Sequence, residues 1–145
     1  LPVGGVVGVV SYNVQSLRRV GRLHELLGRI SQERRYGIVL MQGTCSTAPG
    51  NHGIPPPAEF DVSVLNCEWR VWGFPAGLDD GMAGLTVAVQ TRFLRRVNVT
   101  IKHVSAGRLA VVRLRTSWSD LFVGERVLTH GENGRPQMRG LVESV

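Results

Sequence analysis

The sequence predicts an α/β fold that opens with a strand–helix–strand unit and continues in antiparallel strands. Three observations predict it. Residues 6–14 form a Val-rich run bounded by glycines, the composition of a buried strand. The apolar period then lengthens: Leu23, Leu26, Leu27 and Ile30 stand at i, i+3, i+4 and i+7, one face of a helix. After that, five short apolar runs follow one another across turn-sized gaps.

Taken in order, residues 6–14 make the first strand. The helix is expected over residues 18–33, with Ser16 as its N-cap. Its polar face carries Arg22, Glu25, Arg29 and Glu33, and Gly37 is the stop signal. Residues 38–42 are a second strand, so the unit is a crossover with both strands in one sheet. The stretch "GTCSTAPGNHGIPPPA" is a loop punctuated by Gly and Pro. "FDVSVL" and "EWRVWGF" are close enough to form a hairpin, and "GLDDG" is a turn. "AGLTVAVQ", "VNVTIKHV" and "RLAVVRLRT" are three more strands, separated by "TRFLRR" and "SAG". From Ser117 the pattern fades. Residues 1–123 are therefore expected as the folded domain and 124–145 as a poorly ordered tail. There is no internal repeat.

The 145 residues are 43% hydrophobic, which suits a packed globular core and excludes a disordered chain. No apolar run reaches the roughly 18 residues that cross a bilayer, so no membrane partner is expected. The apolar start "LPVGGVVGVV" has no basic flank and does not read as a signal peptide. A first residue of Leu1 suggests a trimmed or partial chain. The formal charge is +6, and of 17 basic residues all but Lys102 are arginine. That charge suits an anionic partner. It also suits a GC-rich coding sequence, which favours Arg, Gly, Val and Ala. Cys45 and Cys67 are far apart and form no CxxC, so neither a disulfide framework nor a structural zinc site is expected. A reducing intracellular setting fits this cysteine usage. No obligate protein partner is implied.

The stretches "SYNVQSL", "YGIVLMQGT", "GLTVAVQ" and "GRLAVVRLRT" resemble, in order and spacing, the endonuclease/exonuclease/phosphatase superfamily with its deoxyribonuclease-I-like fold. The likeness is nearest to the endonuclease domains of non-LTR retrotransposons and covers about residues 5–123. It implies the first portion of a deoxyribonuclease-I-like α/β sandwich, in which this chain is expected to supply only part of the second sheet. It also implies Mg²⁺ as cofactor, DNA as partner and, for a mobile-element protein, a nuclear location. In that family a Leu-Gln-Glu-Thr-like motif provides the principal metal carboxylate, and the Asn of the opening motif lies beside it. Mg²⁺ prefers such oxygen ligands and activates the attacking water. Asn13 matches the opening Asn, Gln42 the Gln and Thr44 the Thr, but Gly43 stands at the Glu position. The tyrosine corner would fall in "ERVLTH", which has no Tyr, and the Asp-x-Asn pair and Ser-Asp-His ending have no counterpart.

Other residues offer no evident replacement. Asp79 and Asp80 sit in a Gly-flanked turn, where solvated turn chemistry is the simpler reading. Glu59 and Asp61 flank Phe60 at a strand start and read as a solvated strand end. His24, His52, His103 and His130 have no metal-ligand spacing with another His, Asp or Glu. Asn13 has its own plain reading as a turn-forming residue at a strand end. Trp69 and Trp72, three apart, should point to opposite faces of a sheet, one of them into the core; an exposed one could stack on a base.

The leading expectation is an incomplete or decayed metal-dependent endonuclease, a hydrolase by family, with little or no cleavage of its own. A second is a non-catalytic nucleic-acid-binding module that holds the backbone with Arg113 and Arg115, which alternate on one strand face. A third is a residual Mg²⁺-dependent nuclease with a displaced acid.

Overall fold

A computed structural model describes residues 8–33, 35–45, 58–75, 84–95, 97–105, 109–115, 117, 120–127 and 138–144. The chain is mixed α/β and mostly strands. Its elements are β1 (Gly8–Asn13), α1 (Arg22–Glu33), β2 (Tyr36–Gln42), β3 (Ala58–Val64), β4 (Cys67–Phe74), β5 (Leu85–Gln90), α2 (Thr91–Leu94), β6 (Asn98–Ser105), β7 (Leu109–Arg115), β8 (Asp120–Val127) and β9 (Met138–Ser144).

The first five strands form one sheet in the order β1-β2-β5-β4-β3. Only β1 and β2 are parallel, with α1 as their crossover; the other neighbours are antiparallel. Strands β6 to β9 form a second, antiparallel sheet in sequence order. Strand β2 is buried on both sides, so its run is apolar without alternation. Val39 and Met41 meet Leu27 and Ile30 of α1, together with Trp69, Val71 and Ala88. Ile38 and Leu40 turn the other way and pack with Leu85, Val87 and Val89 against Ala110, Val112, Leu114 and Val123 of the second sheet. Helix, first sheet and second sheet are thus three layers with two apolar cores.

The four helix residues chosen from spacing face the sheet. Leu27 and Ile30 are buried, and Leu23 and Leu26 pack half-buried against the same cluster. Trp69 and Trp72 do point to opposite faces, Trp69 toward α1 and Trp72 toward the second sheet. The indole of Trp69 is fully buried, and its Nε1–H donates to Ser31 Oγ at 3.1 Å. That hydroxyl in turn donates to Leu27 O at 2.7 Å, so the buried polar atoms are paired.

The helix starts later than expected, and Ser16 is not its N-cap. The backbone beyond β1 stays tied to the end of β2: Ser16 N donates to Gly43 O at 2.8 Å and Leu17 N to Thr44 O at 2.9 Å. Gln15 and Ser16 have positive φ of 55° and 109°, and Ser16 Oγ accepts from Arg18 N within a local turn. A segment held to a neighbouring strand cannot wind, so α1 begins only at Arg22, after Gly21.

The β3–β4 hairpin closes on Leu65 and Asn66, whose φ values of 49° and 61° are those of a type I′ turn. "TRFLRR" supplies a single helical turn, α2, not a plain turn. The expected tail is corrected too. Residues 124–127 complete β8, and β9 adds a fourth strand to the second sheet. Gly124 and Gly140 interrupt the apolar alternation there, which hides both strands from pattern reading. The "GLDDG" turn and most of the Gly/Pro-rich loop lie outside the described residues.

Candidate functional site

Parallel strands carry their C-terminal ends to one edge, where sites of α/β proteins form. Here Asn13 lies opposite Gln42 in the β1–β2 register, and Val14 N donates to Gln42 O at 3.0 Å. Asn13, Gln42, Gly43 and Thr44 are therefore neighbours at one edge, as the motif order demands.

Each has a defined local role. Asn13 is exposed, and its Oδ1 accepts from Gln15 N at 3.3 Å, an Asx turn that helps reverse the chain. Gln42 is fully buried on the face toward the second sheet. Its Nε2–H donates to Ser11 Oγ at 2.6 Å, a side-chain link between β1 and β2. Thr44 is buried, and its N–H donates to Gly84 O at 3.2 Å, tying the loop to the start of β5. Gly43 is buried with φ 66°, in the left-handed region that favours glycine. Its carbonyl accepts from Ser16 N, so the Gly43 backbone serves the turn after β1.

The charge that does reach this edge is positive. Arg18, which pattern reading did not single out, places its Nε–H on Cys45 O at 2.8 Å. An amide and a guanidinium can hold an anionic oxygen; they supply no negative charge for a dication. Among the described residues no three His, Cys, Asp or Glu side chains gather where they could hold a metal ion.

The other candidates are apart from this edge. Glu59 and Asp61 are exposed on β3 and pair with Arg70, Asp61 Oδ1 accepting from Arg70 Nε at 3.2 Å. His24 is exposed on α1, and His103 is on β6 opposite Ala110. His52, Asp79, Asp80 and His130 lie outside the described residues. Cys45 and Cys67 are not joined in a disulfide. Among the described residues no helix is long and apolar enough to cross a membrane.

Arg113 and Arg115 are on β7, in the second sheet. Arg113 is engaged: its Nε and Nη2 donate to Asp120 at 2.9 and 2.6 Å, and its guanidinium lies 5.1 Å from the centre of the Phe122 ring. Arg115 is exposed. Asp120 was invisible from sequence because the register of β8 was not read. The Arg113 hydrogen bonds hold the Asp120 carboxyl below its ordinary value, and the charge of Arg115 adds to this. A lowered carboxyl contributes stability above its unfolded value near 3.8 and loses it as pH falls through the lower folded value. Asp120→Asn should therefore melt earlier than the parent at pH 7. The difference should close in thermal melts taken at successively lower pH below about 3.8.

Comparison with models of known protein families and with curated proteins gives no match to this chain.

Proposed function

We propose that this chain is a deoxyribonuclease-I-like scaffold, of mobile-element origin, whose metal-dependent phosphodiesterase chemistry has been lost. The observation that carries the reading is the Asn13–Gly43 edge. The strand–helix–strand unit, the parallel register and the position of Asn13 fit a phosphodiesterase opening. The position that would need a carboxylate holds a glycine with a left-handed backbone. A single substitution of Glu by Gly would remove only the side chain and leave the backbone as it was. The backbone, however, has settled into a conformation that costs an L-residue roughly 1–2 kcal/mol.

In a working site of this class, Mg²⁺ would neutralise the phosphate and lower the pKa of the attacking water. The residues at this edge do not fit that group, since Asn13, Gln42 and Thr44 are neutral and Arg18 is cationic.

The test is Gly43→Glu. It is expected to lose about 1–2 kcal/mol in denaturant unfolding and to leave plasmid DNA uncut in Mg²⁺. A single acid does not provide the remaining ligands and general acid–base groups that phosphodiester hydrolysis needs. Mg²⁺-dependent nicking by Gly43→Glu would mean the rest of the machinery is intact, and the reading would fail.

A further inference from the structure

A concave surface lies at the far end of the sheets from Asn13 and Gly43. The antiparallel pairing of β2 with β5 puts Leu85 beside Gln42 and carries Gln90 and α2 to the opposite end. There residues of both sheets and of α2 line an open groove of about 650 Å³. Arg70, Trp72, Leu94, Arg95, Val97 and Arg115 line it.

Three features give it a chemistry. Three arginines meet Glu59 in the lining and Asp61 beside it, which leaves one positive charge in excess. Glu59 and Asp61 are both ion-paired to Arg70, at 3.7 and 3.2 Å, so they hold that guanidinium at the groove wall. Arg95 and Arg115 are exposed and have no salt-bridge partner among the described residues, although the field of Arg115 reaches Asp120. The wall between them is apolar and aromatic: Trp72 and Leu94 pack half-buried against the inter-sheet core, and Val97 is buried. Guanidinium forks beside an aromatic wall suit a phosphate joined to a flat ring.

We propose that this groove binds the phosphate of a nucleotide unit, held by Arg95 and Arg115 with its base against Trp72. The site is independent of the Asn13–Gly43 edge and does not rest on the loss of cleavage there. The phosphate can belong to a free nucleotide or to single-stranded nucleic acid.

The experiment is fluorescence anisotropy of a labelled oligothymidylate with the full chain, competed by unlabelled oligothymidylate and by ADP. Arg95→Ala/Arg115→Ala should weaken binding at least about tenfold, since two charge-assisted contacts are lost. The charge-matched control Arg19→Ala/Arg29→Ala, on exposed arginines just before and on α1, which packs on the opposite face of the first sheet from the groove, should change it less than about threefold, as exposed charges there are largely screened. If the alanine pair fails to fold, by circular dichroism, Arg95→Lys/Arg115→Lys keeps the charge and removes the fork, and should still weaken binding. Competition by ADP identifies a free nucleotide as the source; competition by the oligonucleotide alone identifies the strand. Either supports the site. Absence of binding by the parent chain, or equal loss in the charge-matched control, overturns it.

Discussion

Trp69→Ala should cost about 3–5 kcal/mol in denaturant unfolding, the range for removing a large buried aromatic side chain. Trp69 is fully buried between β4 and α1 in the cluster that holds Leu27, Val39 and Met41. A domain of ordinary stability has only about 5–15 kcal/mol in total, so the variant should approach the unfolding threshold at body temperature. The polar half of the contact can be separated. Ser31→Ala removes the acceptor of the indole N–H and should cost about 1–3 kcal/mol. In a Trp69→Phe background the same change should cost clearly less, because no donor remains to be stranded. Equal costs of Ser31→Ala in both backgrounds would mean that the Ser31–Trp69 bond contributes nothing.

Gly37→Ala should cost about 1–3 kcal/mol by overpacking. Gly37 is buried at the start of β2, and a Cβ built on it would fall inside the ring of Phe93. Phe93 is held in place: it packs against the inter-sheet core, and the Arg92 guanidinium lies 4.8 Å from its ring centre. The ring cannot move away without opening that core. Phe93→Leu should therefore relieve much of the cost of Gly37→Ala, a coupling that a double-mutant cycle in urea would measure. Strict additivity of the two changes would show that the ring and the glycine do not meet. Gly37 is thus a packing glycine within β2, not the stop signal that pattern reading made of it.

These two sites show which parts of the fold are legible in sequence. The α1 face was legible because Leu23, Leu26, Leu27 and Ile30 repeat at the helical period and all meet one sheet. The opposite orientations of Trp69 and Trp72 follow from the strand period of two, and the β3–β4 hairpin from the closeness of two apolar runs. The start of α1 was hidden because long-range bonds from Ser16 and Leu17 to the end of β2 override the local helix signal. The β3–β4 turn type was hidden because Leu65-Asn66 lacks the glycine that usually marks it. Strands β8 and β9 were hidden by glycines and by a polar stretch between them, and with them went Asp120 and its hold on Arg113.

At the candidate edge, the adjacency of Asn13, Gln42 and Gly43 was legible, because motif order together with a crossover places two strand ends side by side. The left-handed backbone of Gly43 and the approach of Arg18 were not, since both depend on how the turn after β1 docks onto β2. The arginine groove was illegible for a related reason. Its lining comes from β3, β4, α2, β6 and β7 and the residues beside them, with Glu59 and Ser117 at the extremes. Only the packing of two sheets brings them together.

The most direct test of the central claim is a plasmid-nicking assay on the purified parent chain with Mg²⁺, beside Asn13→Ala. Supercoiled DNA should stay intact with both proteins, because the edge that aligns Asn13 with Gln42 has no carboxylate at Gly43 to hold the dication. Mg²⁺-dependent nicking by the parent that Asn13→Ala abolishes would contradict it, and would mean that an acid elsewhere in the chain has taken over the role of the missing one.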